Sequence, residues 1–298
     1  MRPLFFFLSA LLFFGGKSPN DFSAIKHIVV IGVDGMSPDG ILKANTPNMD
    51  ALIKTGAHSF SAQAVLPTVS SPNWASMMMG ASPKRHGVKS NKWEVEDVKK
   101  KSFCGNAKGE IFPTIYRVIR EQRKDAVIAC FYDWDGYGRL VEENVCTVKQ
   151  DCAGENKTMD ATAAYLAKEK PLFTFIHLDH VDHAGHEYGH GTKEYYRSVE
   201  KTDSLVGVVV QTLKDAGIYE NTVLLITADH GGKKKGHGGR SQQERTIPWI
   251  ITGPGVVAGK SISSPIHTYD TAPTLAYILG LQVPDCWEGK VVKEAFTD

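Results

Sequence analysis

The chain has 298 residues, 42% hydrophobic and 22% charged, a composition that can bury a large core and that excludes a disordered or low-complexity polymer. Lysine and arginine number 34 against 33 aspartates and glutamates, so the formal net charge of +1 offers no global field for nucleic acid or a charged membrane surface. Any anion this protein uses must be gripped locally.

From the N-terminus, Arg2 precedes an apolar run from Leu4 to Phe14, followed by Gly15, Gly16 and a polar stretch to Ala24. This pattern predicts a signal peptide over residues 1–24 and one domain over 25–298 in a secreted or periplasmic protein. The apolar run is short for a bilayer span, and no later segment is long and apolar enough, so no stable membrane span is expected. Strand-like runs follow at His27 to Val33, Ala126 to Phe131, Leu172 to Leu178, Val223 to Thr227 and Pro248 to Thr252. They are continuously apolar, as strands buried on both faces are. Helical patterns lie between them: Thr46 and Pro47 open one that Gly56 stops, and a long one runs from about Lys193 to Ala216 before Gly217. The alternation predicts an α/β fold with a mostly parallel central sheet sandwiched between helices.

Two stretches break the rhythm. Asn91 to Glu110 is rich in lysine and glutamate and reads as a surface excursion near the site; Asp133 to Thr158, with Gly136, Gly138 and two cysteines, reads as a loop or small cap. Five cysteines fit an oxidising compartment. Cys146 and Cys152 could close a short loop, and Cys130, inside an apolar run, reads equally as a buried thiol or a bridge. No pairing is assigned.

In a sheet of this kind functional groups gather beyond the C-terminal ends of the strands. Three runs lead into aspartate there: Asp34 with Gly35, Asp179 continuing to Asp182, His183 and His186, and Asp229 with His230 and Gly231. Carboxylate and neutral imidazole together suit zinc, so three such strand ends could build one metal cluster. An aspartate after a strand is more often a turn or cap, and a lone histidine more often structural. Their coincidence is the signal. After the first strand, Pro67-Thr68-Val69-Ser70-Ser71-Pro72 leads into a helix, which places a serine hydroxyl where free N–H groups and the helix dipole favour negative charge. The bland alternative is that Ser71 merely caps that helix.

With these motifs the chain resembles the alkaline phosphatase superfamily, and within it the nucleotide pyrophosphatase/phosphodiesterase group. The resemblance runs from about His27 to Leu281 and includes Arg85-His86-Gly87 continuing to Asn91, and His237 before the Pro248 strand. It implies an alkaline-phosphatase-like core that hydrolyses small phosphate esters with two zinc ions, or manganese on the same ligands. One ion would sit on Asp34, Asp229 and His230, the other on Asp182, His186 and His237, with Ser70 between them as nucleophile. Asn91 would donate a hydrogen bond to a phosphate oxygen. Such a site would hydrolyse in two steps, through a phosphoserine on Ser70 that water then releases.

Several residues depart from that group's pattern. Ser70 stands where its phosphodiesterases have threonine, as in alkaline phosphatases, with Thr68 the less favoured nucleophile. Ser71 fills the place of an aromatic residue that stacks on a base, leaving Trp74, Trp93 or Trp134 as other platforms. His230 and His237 are seven apart, without the group's long insertion, and His267 is the rival to His237. Asp179 and His183 repeat the spacing of Asp182 and His186, while His180, His183 and His190 read as supporting or surface residues. Lys233, Lys234 and Lys235 read as a solvated loop or as contacts to a doubly charged monoester phosphate. The runner-up activity is a phosphomonoesterase, ahead of phosphonate hydrolysis and phosphoethanolamine transfer. No arginine follows Pro72 as sulfate ester hydrolysis would need. A silent binding protein would lack a ligand or nucleophile, and a metal buffer over His177 to His190 would not need Ser70 or Asn91.

Overall fold

Runs of valine, isoleucine, leucine and phenylalanine that cannot expose either face condense into one sheet. In the computed structural model, which describes residues 22–105 and 108–296, they form β1 (His27–Val33), β3 (Ile128–Tyr132), β5 (Phe173–Leu178), β6 (Thr222–Ala228) and β7 (Thr246–Thr252). The leader expected over residues 1–24 lies almost wholly outside the described residues. Three further strands, β2 (Ala57–Gln63), β4 (Val148–Asp151) and β8 (Lys260–Ser261), complete the eight-stranded order β4-β3-β5-β1-β6-β7-β2-β8. β4, β3, β5, β1 and β6 are mutually parallel, with Val30 opposite Phe175 on one side and Leu225 on the other; β7 alone runs against its neighbours β6 and β2. The three strands without a sequence signal lie towards the sheet's margins. β2 alternates buried Ala57, Ser59 and Ala62 with more open residues and so lacks a continuous apolar run.

The helices are α1 (Pro38–Lys43), α2 (Pro47–Thr55), α3 (Ser70–Met79), α4 (Pro83–His86), α5 (Ile115–Gln122), α6 (Asp135–Gly138), α7 (Glu155–Glu169), α8 (His180–Tyr188), α9 (Lys193–Asp215), α10 (Gln242–Arg245) and α11 (Thr271–Ile278). They pack in two groups, α1, α2, α7 and α8 around α9, and α3 with α4, α5, α6 and α11. α9 buries Tyr195, Val199, Val206, Val209 and Leu213, an apolar stripe at helical spacing. α3 is buried along its whole length. Gly56 ends α2 because β7 passes against it: a Cβ there would lie 2.1 Å from the Ile251 carbonyl oxygen.

The excursion after Asn91 is anchored by buried Trp93 and Val98, by Arg139 bonding the Asn91 carbonyl, and by a disulfide between Cys104 and Cys286, whose Cα atoms are 5.6 Å apart. Cys146 and Cys152 do not close the loop weighed for them; both are free thiols, as is the buried Cys130. Among the described residues no helix is long and apolar enough to cross a membrane.

Within the stretch after Asp133, Glu142 accepts hydrogen bonds from the Thr114 backbone N–H (2.9 Å) and hydroxyl (2.5 Å) at the start of α5. Burial pushes this carboxyl from its ordinary 4.5 up to about 7, against the opposing pull of the Thr114 bonds. The folded chain therefore holds the proton more tightly than the unfolded chain, so Glu142 lowers stability progressively as pH rises from about 4.5 to about 7. Glu142→Gln should flatten that part of the melting-temperature profile; parallel profiles for the two proteins would show that Glu142 does not titrate in this window.

Candidate active site

Because β1, β5 and β6 are adjacent and parallel, their C-terminal ends deliver Asp34, Asp182 and Asp229 to one edge of the sheet. Asp34 is buried; its Oδ2 accepts the Trp74 indole N–H at 3.0 Å, while Oδ1 has no hydrogen-bond partner. Gly35 follows in the left-handed region (φ 67°), and a Cβ there would lie 2.7 Å from Asp182 Oδ1, so only glycine lets α8 come this close. Asp229, fully buried, accepts the Gly35 N–H at 3.2 Å through Oδ1 and leaves Oδ2 without a partner. One turn apart on α8, Asp182 and His186 face the same way, with Oδ2 and Nε2 at 3.1 Å; Asp182 Oδ1 is also unpartnered.

The three histidines are presented alike. Nδ1 of His230 lies 2.9 Å from the Gly231 carbonyl, that of His186 3.0 Å from the Lys235 carbonyl, and that of His237 2.8 Å from the Thr68 carbonyl. A carbonyl only accepts, so this network assigns a proton to each Nδ1, and the neutral form of each ring then has its lone pair on Nε2; Asp182 draws His186 towards the charged form, up to about 9. The three Nε2 atoms then converge on the carboxylates and on one another. His186 Nε2 is 3.1 Å from His237 Nε2, and His230 Nε2 is 3.3 Å from Asp34 Oδ1 and 3.2 Å from Asp229 Oδ2. Two facing lone pairs cannot bond each other, and neither can a lone pair and a carboxylate. A cation between them can bind both, and the mixed imidazole and carboxylate set fits zinc. Asp182, His186 and His237 form one compact ligand group and Asp34, Asp182 and His230 a second, so Asp182 lies close to both. Burial, then the charges of Asp34 and Asp182, push the Asp229 carboxyl well above its usual range, and burial pushes His230 down. Burial would raise Asp34 as well, but the facing imidazoles of His177 and His230 hold it below the usual carboxylate range.

Ser70 is the first residue of α3, 5% exposed, with Oγ 3.3 Å from His230 Nε2. Ser71 does not cap the helix: Val69 is the cap residue and makes no side-chain bond, and the Ser71 hydroxyl is buried without a partner. The Ser71 N–H instead donates to Asn91 Oδ1 at 2.8 Å. The preceding loop is stapled by buried Asn73, which accepts the Val65 N–H (2.7 Å) and donates to the carbonyls of Pro67 (3.1 Å) and Val69 (3.0 Å). Thr68 spends its hydroxyl on the Gly239 carbonyl (2.9 Å) and the Gly238 N–H (3.0 Å), tying the Ser70 loop to the loop that carries His237.

The rival residues stay apart. His267 stacks on Tyr269 and faces Asp270 at 3.6 Å, outside every ligand group found among the described residues. His183 pairs with Asp179 at 2.8 Å and is largely exposed, and the His190 ring fills the space over Gly185 and Gly232. Lys233, Lys234 and Lys235 are exposed, while the carbonyls of Lys234 and Lys235 hold the His190 N–H and His186. Trp74 and Trp93 are buried and offer no open platform. Sequence reading missed His177, whose Nδ1 lies 3.2 Å from Asp133 Oδ1 and whose Nε2 lies 3.5 Å from Asp34 Oδ2. Its signal was a polar residue inside the apolar run of β5. Tyr195 was missed too; its hydroxyl donates to the Gly35 carbonyl and accepts the Ser37 N–H, both at 2.9 Å, fixing the turn after Asp34.

A parallel sheet between helices, with this ligand set at its carboxyl edge, defines an alkaline-phosphatase-like scaffold. The solved human ectonucleotide pyrophosphatase/phosphodiesterase 5 superposes with a TM-score of 0.76 at 14% identity, over 91% of this chain and 100% of that one. A variant of the alkaline phosphatase PafA gives 0.74 at 12% identity, over 91% and 99%. Among curated proteins, human bis(5'-adenosyl)-triphosphatase ENPP4 is 26% identical over 243 residues, 78% of this chain and 53% of the relative. Mouse ectonucleotide pyrophosphatase/phosphodiesterase family member 1 is 25% identical over 194 residues, 62% of this chain and 21% of the relative. The chain thus spans about half or less of the length of these curated relatives. The family model for type I phosphodiesterase / nucleotide pyrophosphatase matches residues 28–236, and the chain belongs to that family.

If the Trp74 indole N–H orients Asp34 as a ligand, Trp74→Phe should keep most of the buried ring and weaken zinc binding by roughly 10- to 100-fold. Competition titration against a zinc chelator measures this, and an unchanged affinity would remove Trp74 from the ligand support.

Proposed function

We propose that the chain is an exported, zinc-dependent hydrolase of small phosphate esters, foremost diesters, with residues 25–298 as one catalytic domain. The observation that carries this reading is the convergence of three imidazole Nε2 atoms and three carboxylates beside the Ser70 hydroxyl. Asp34, Asp229 and His230 would hold one zinc and Asp182, His186 and His237 the other, and manganese fits the same donors. Bound there, the pair supplies Lewis acidity towards the phosphoryl oxygens and lowers the pKa of a neighbouring hydroxyl.

The chain's own groups do the rest. Ser70 Oγ attacks phosphorus; the new Oγ–P bond forms as the ester P–O bond breaks on the opposite side, leaving a phosphoserine that, for a diester, keeps the second alcohol, and a released alcohol or phosphate that takes up the proton Ser70 loses. Water then attacks that phosphorus, restoring the hydroxyl and releasing the product. Ser70 stands at the N-terminus of a ten-residue helix, whose free N–H groups and dipole favour the charge that develops. Asn91, its Oδ1 held by the Ser71 N–H, presents its NH2 side as a donor for a non-bridging oxygen.

Membership of the type I phosphodiesterase / nucleotide pyrophosphatase family supports the diester reading. A phosphomonoesterase is the second reading. It is favoured by serine at position 70, by Ser71 where a base-stacking ring would stand, and by the burial of Trp74 and Trp93. Side-by-side rates on para-nitrophenyl phosphate, its bis-ester and the thymidine-monophosphate nitrophenyl ester decide between the two. A diester should be fastest, Ser70→Ala should cost on the order of 10³-fold or more in kcat, and chelation should abolish activity until zinc is restored. A faster monoester would move the assignment to a phosphatase, and an active Ser70→Ala would remove Ser70 as the nucleophile.

A further inference from the structure

A second set of metal-ligating side chains lies at the same edge of the sheet, one strand further from Ser70. Asp133 follows β3, His180 opens α8 just beyond β5, and Glu155 is the first residue of α7. β3 and β5 are parallel neighbours, so their ends bring Asp133 and His180 together, and one ligand atom from each of the three residues lies within 4.8 Å of the others. None of the three belongs to the ligand groups around Ser70.

Two observations suit this cluster to a cation. The Asp133 side chain is 2% exposed and gives Oδ1 to His177, yet among the described residues neither Asp133 nor Glu155 has a lysine or arginine within ion-pair distance. Lys201, the nearby ammonium that bears on His180, is bonded to Asn156 Oδ1 at 2.5 Å instead. The second is the state of the His180 ring. Its Nε2 lies 3.0 Å from Thr202 Oγ1, which also reaches the Ser198 carbonyl at 3.2 Å. With the Thr202 proton assigned to that carbonyl, the ring proton is on Nε2; Nδ1 is in either case buried and without a hydrogen-bond partner. A buried lone pair beside two carboxylates that no lysine or arginine reaches favours a cation.

We propose that Asp133, Glu155 and His180 Nδ1 form a third divalent-cation site. One imidazole and two carboxylates make a borderline donor set that selects zinc or manganese over magnesium or calcium, with coordination positions left for water. Asp133 also holds His177, which faces Asp34, so a cation here fixes the carboxylate that orients the support of the first zinc ligand. The site does not depend on the activity proposed above.

The test is equilibrium dialysis of the full chain against a series of free Zn2+ concentrations, with zinc per chain counted by mass spectrometry. The wild type should saturate one equivalent above both Glu155→Gln and His180→Gln. Glu155→Gln preserves shape, and an unchanged melting temperature of the chelator-stripped variant assigns the loss to the site rather than to unfolding. The same one-equivalent difference should persist when Glu155→Gln is placed in a His237→Ala background, which separates this site from the ions beside Ser70. Coincident curves for the wild type and both single variants would overturn the proposal.

Discussion

Everything at the working end of this molecule depends on lone pairs driven together. Three parallel strands end side by side, each discharging a carboxylate into the same small volume, and three imidazoles turn their unprotonated nitrogens towards it. Buried like charges repel, and the pressure is visible in the Asp229 carboxyl, which burial and its neighbours Asp34 and Asp182 push well above its usual range. Protonation could relieve part of this crowding, but one proton between His186 and His237, 3.1 Å apart, would leave the carboxylates of Asp34, Asp182 and Asp229 pressed together. A pair of cations relieves all of it at once, which is why the donors read as a metal centre and not as a salt-bridge network.

The arrangement is held from behind by the backbone. Carbonyls of Thr68, Gly231 and Lys235 set the three ring orientations, and the first of these belongs to the loop that delivers Ser70. Ser70 and His237 are thus coupled through a single residue. Thr68 accepts from His237 through its carbonyl and braces Gly238 and Gly239 with its hydroxyl, while Asn73 staples the turn that follows Val65. Tyr195, on the long helix at the other side, fixes the turn beyond Asp34 through the Gly35 carbonyl. The precision of the site rests on buried polar contacts between segments far apart in the chain.

How much of this could be read from the sequence follows from how local each signal is. The strands β1, β3, β5, β6 and β7 were legible because burial on both faces leaves a continuous apolar run; β2 and β8 were not, since a half-buried strand near an edge does not. Asp34, Asp182 and Asp229 were visible as polar residues placed after such runs, whereas His186, which shares its spacing with His183, was picked out by family resemblance. His237 came from family resemblance, and the structure sets it against Asp182 and His186 while His267 stays with Asp270. The contributions of Trp74, His177 and Tyr195 were invisible, because each acts through contacts 40 or more residues away. The Cys104–Cys286 disulfide, 182 residues apart, was hidden for the same reason.

The most direct measurement is a crystal structure of the zinc-soaked chain with anomalous data collected on both sides of the zinc absorption edge. The expected result is two adjacent anomalous peaks beside Ser70, one flanked by Asp34, Asp229 and His230 and the other by Asp182, His186 and His237. Ordered side chains around Ser70 with no anomalous peak, or with zinc bound only on other residues, would contradict the reading of these converging lone pairs as a metal centre.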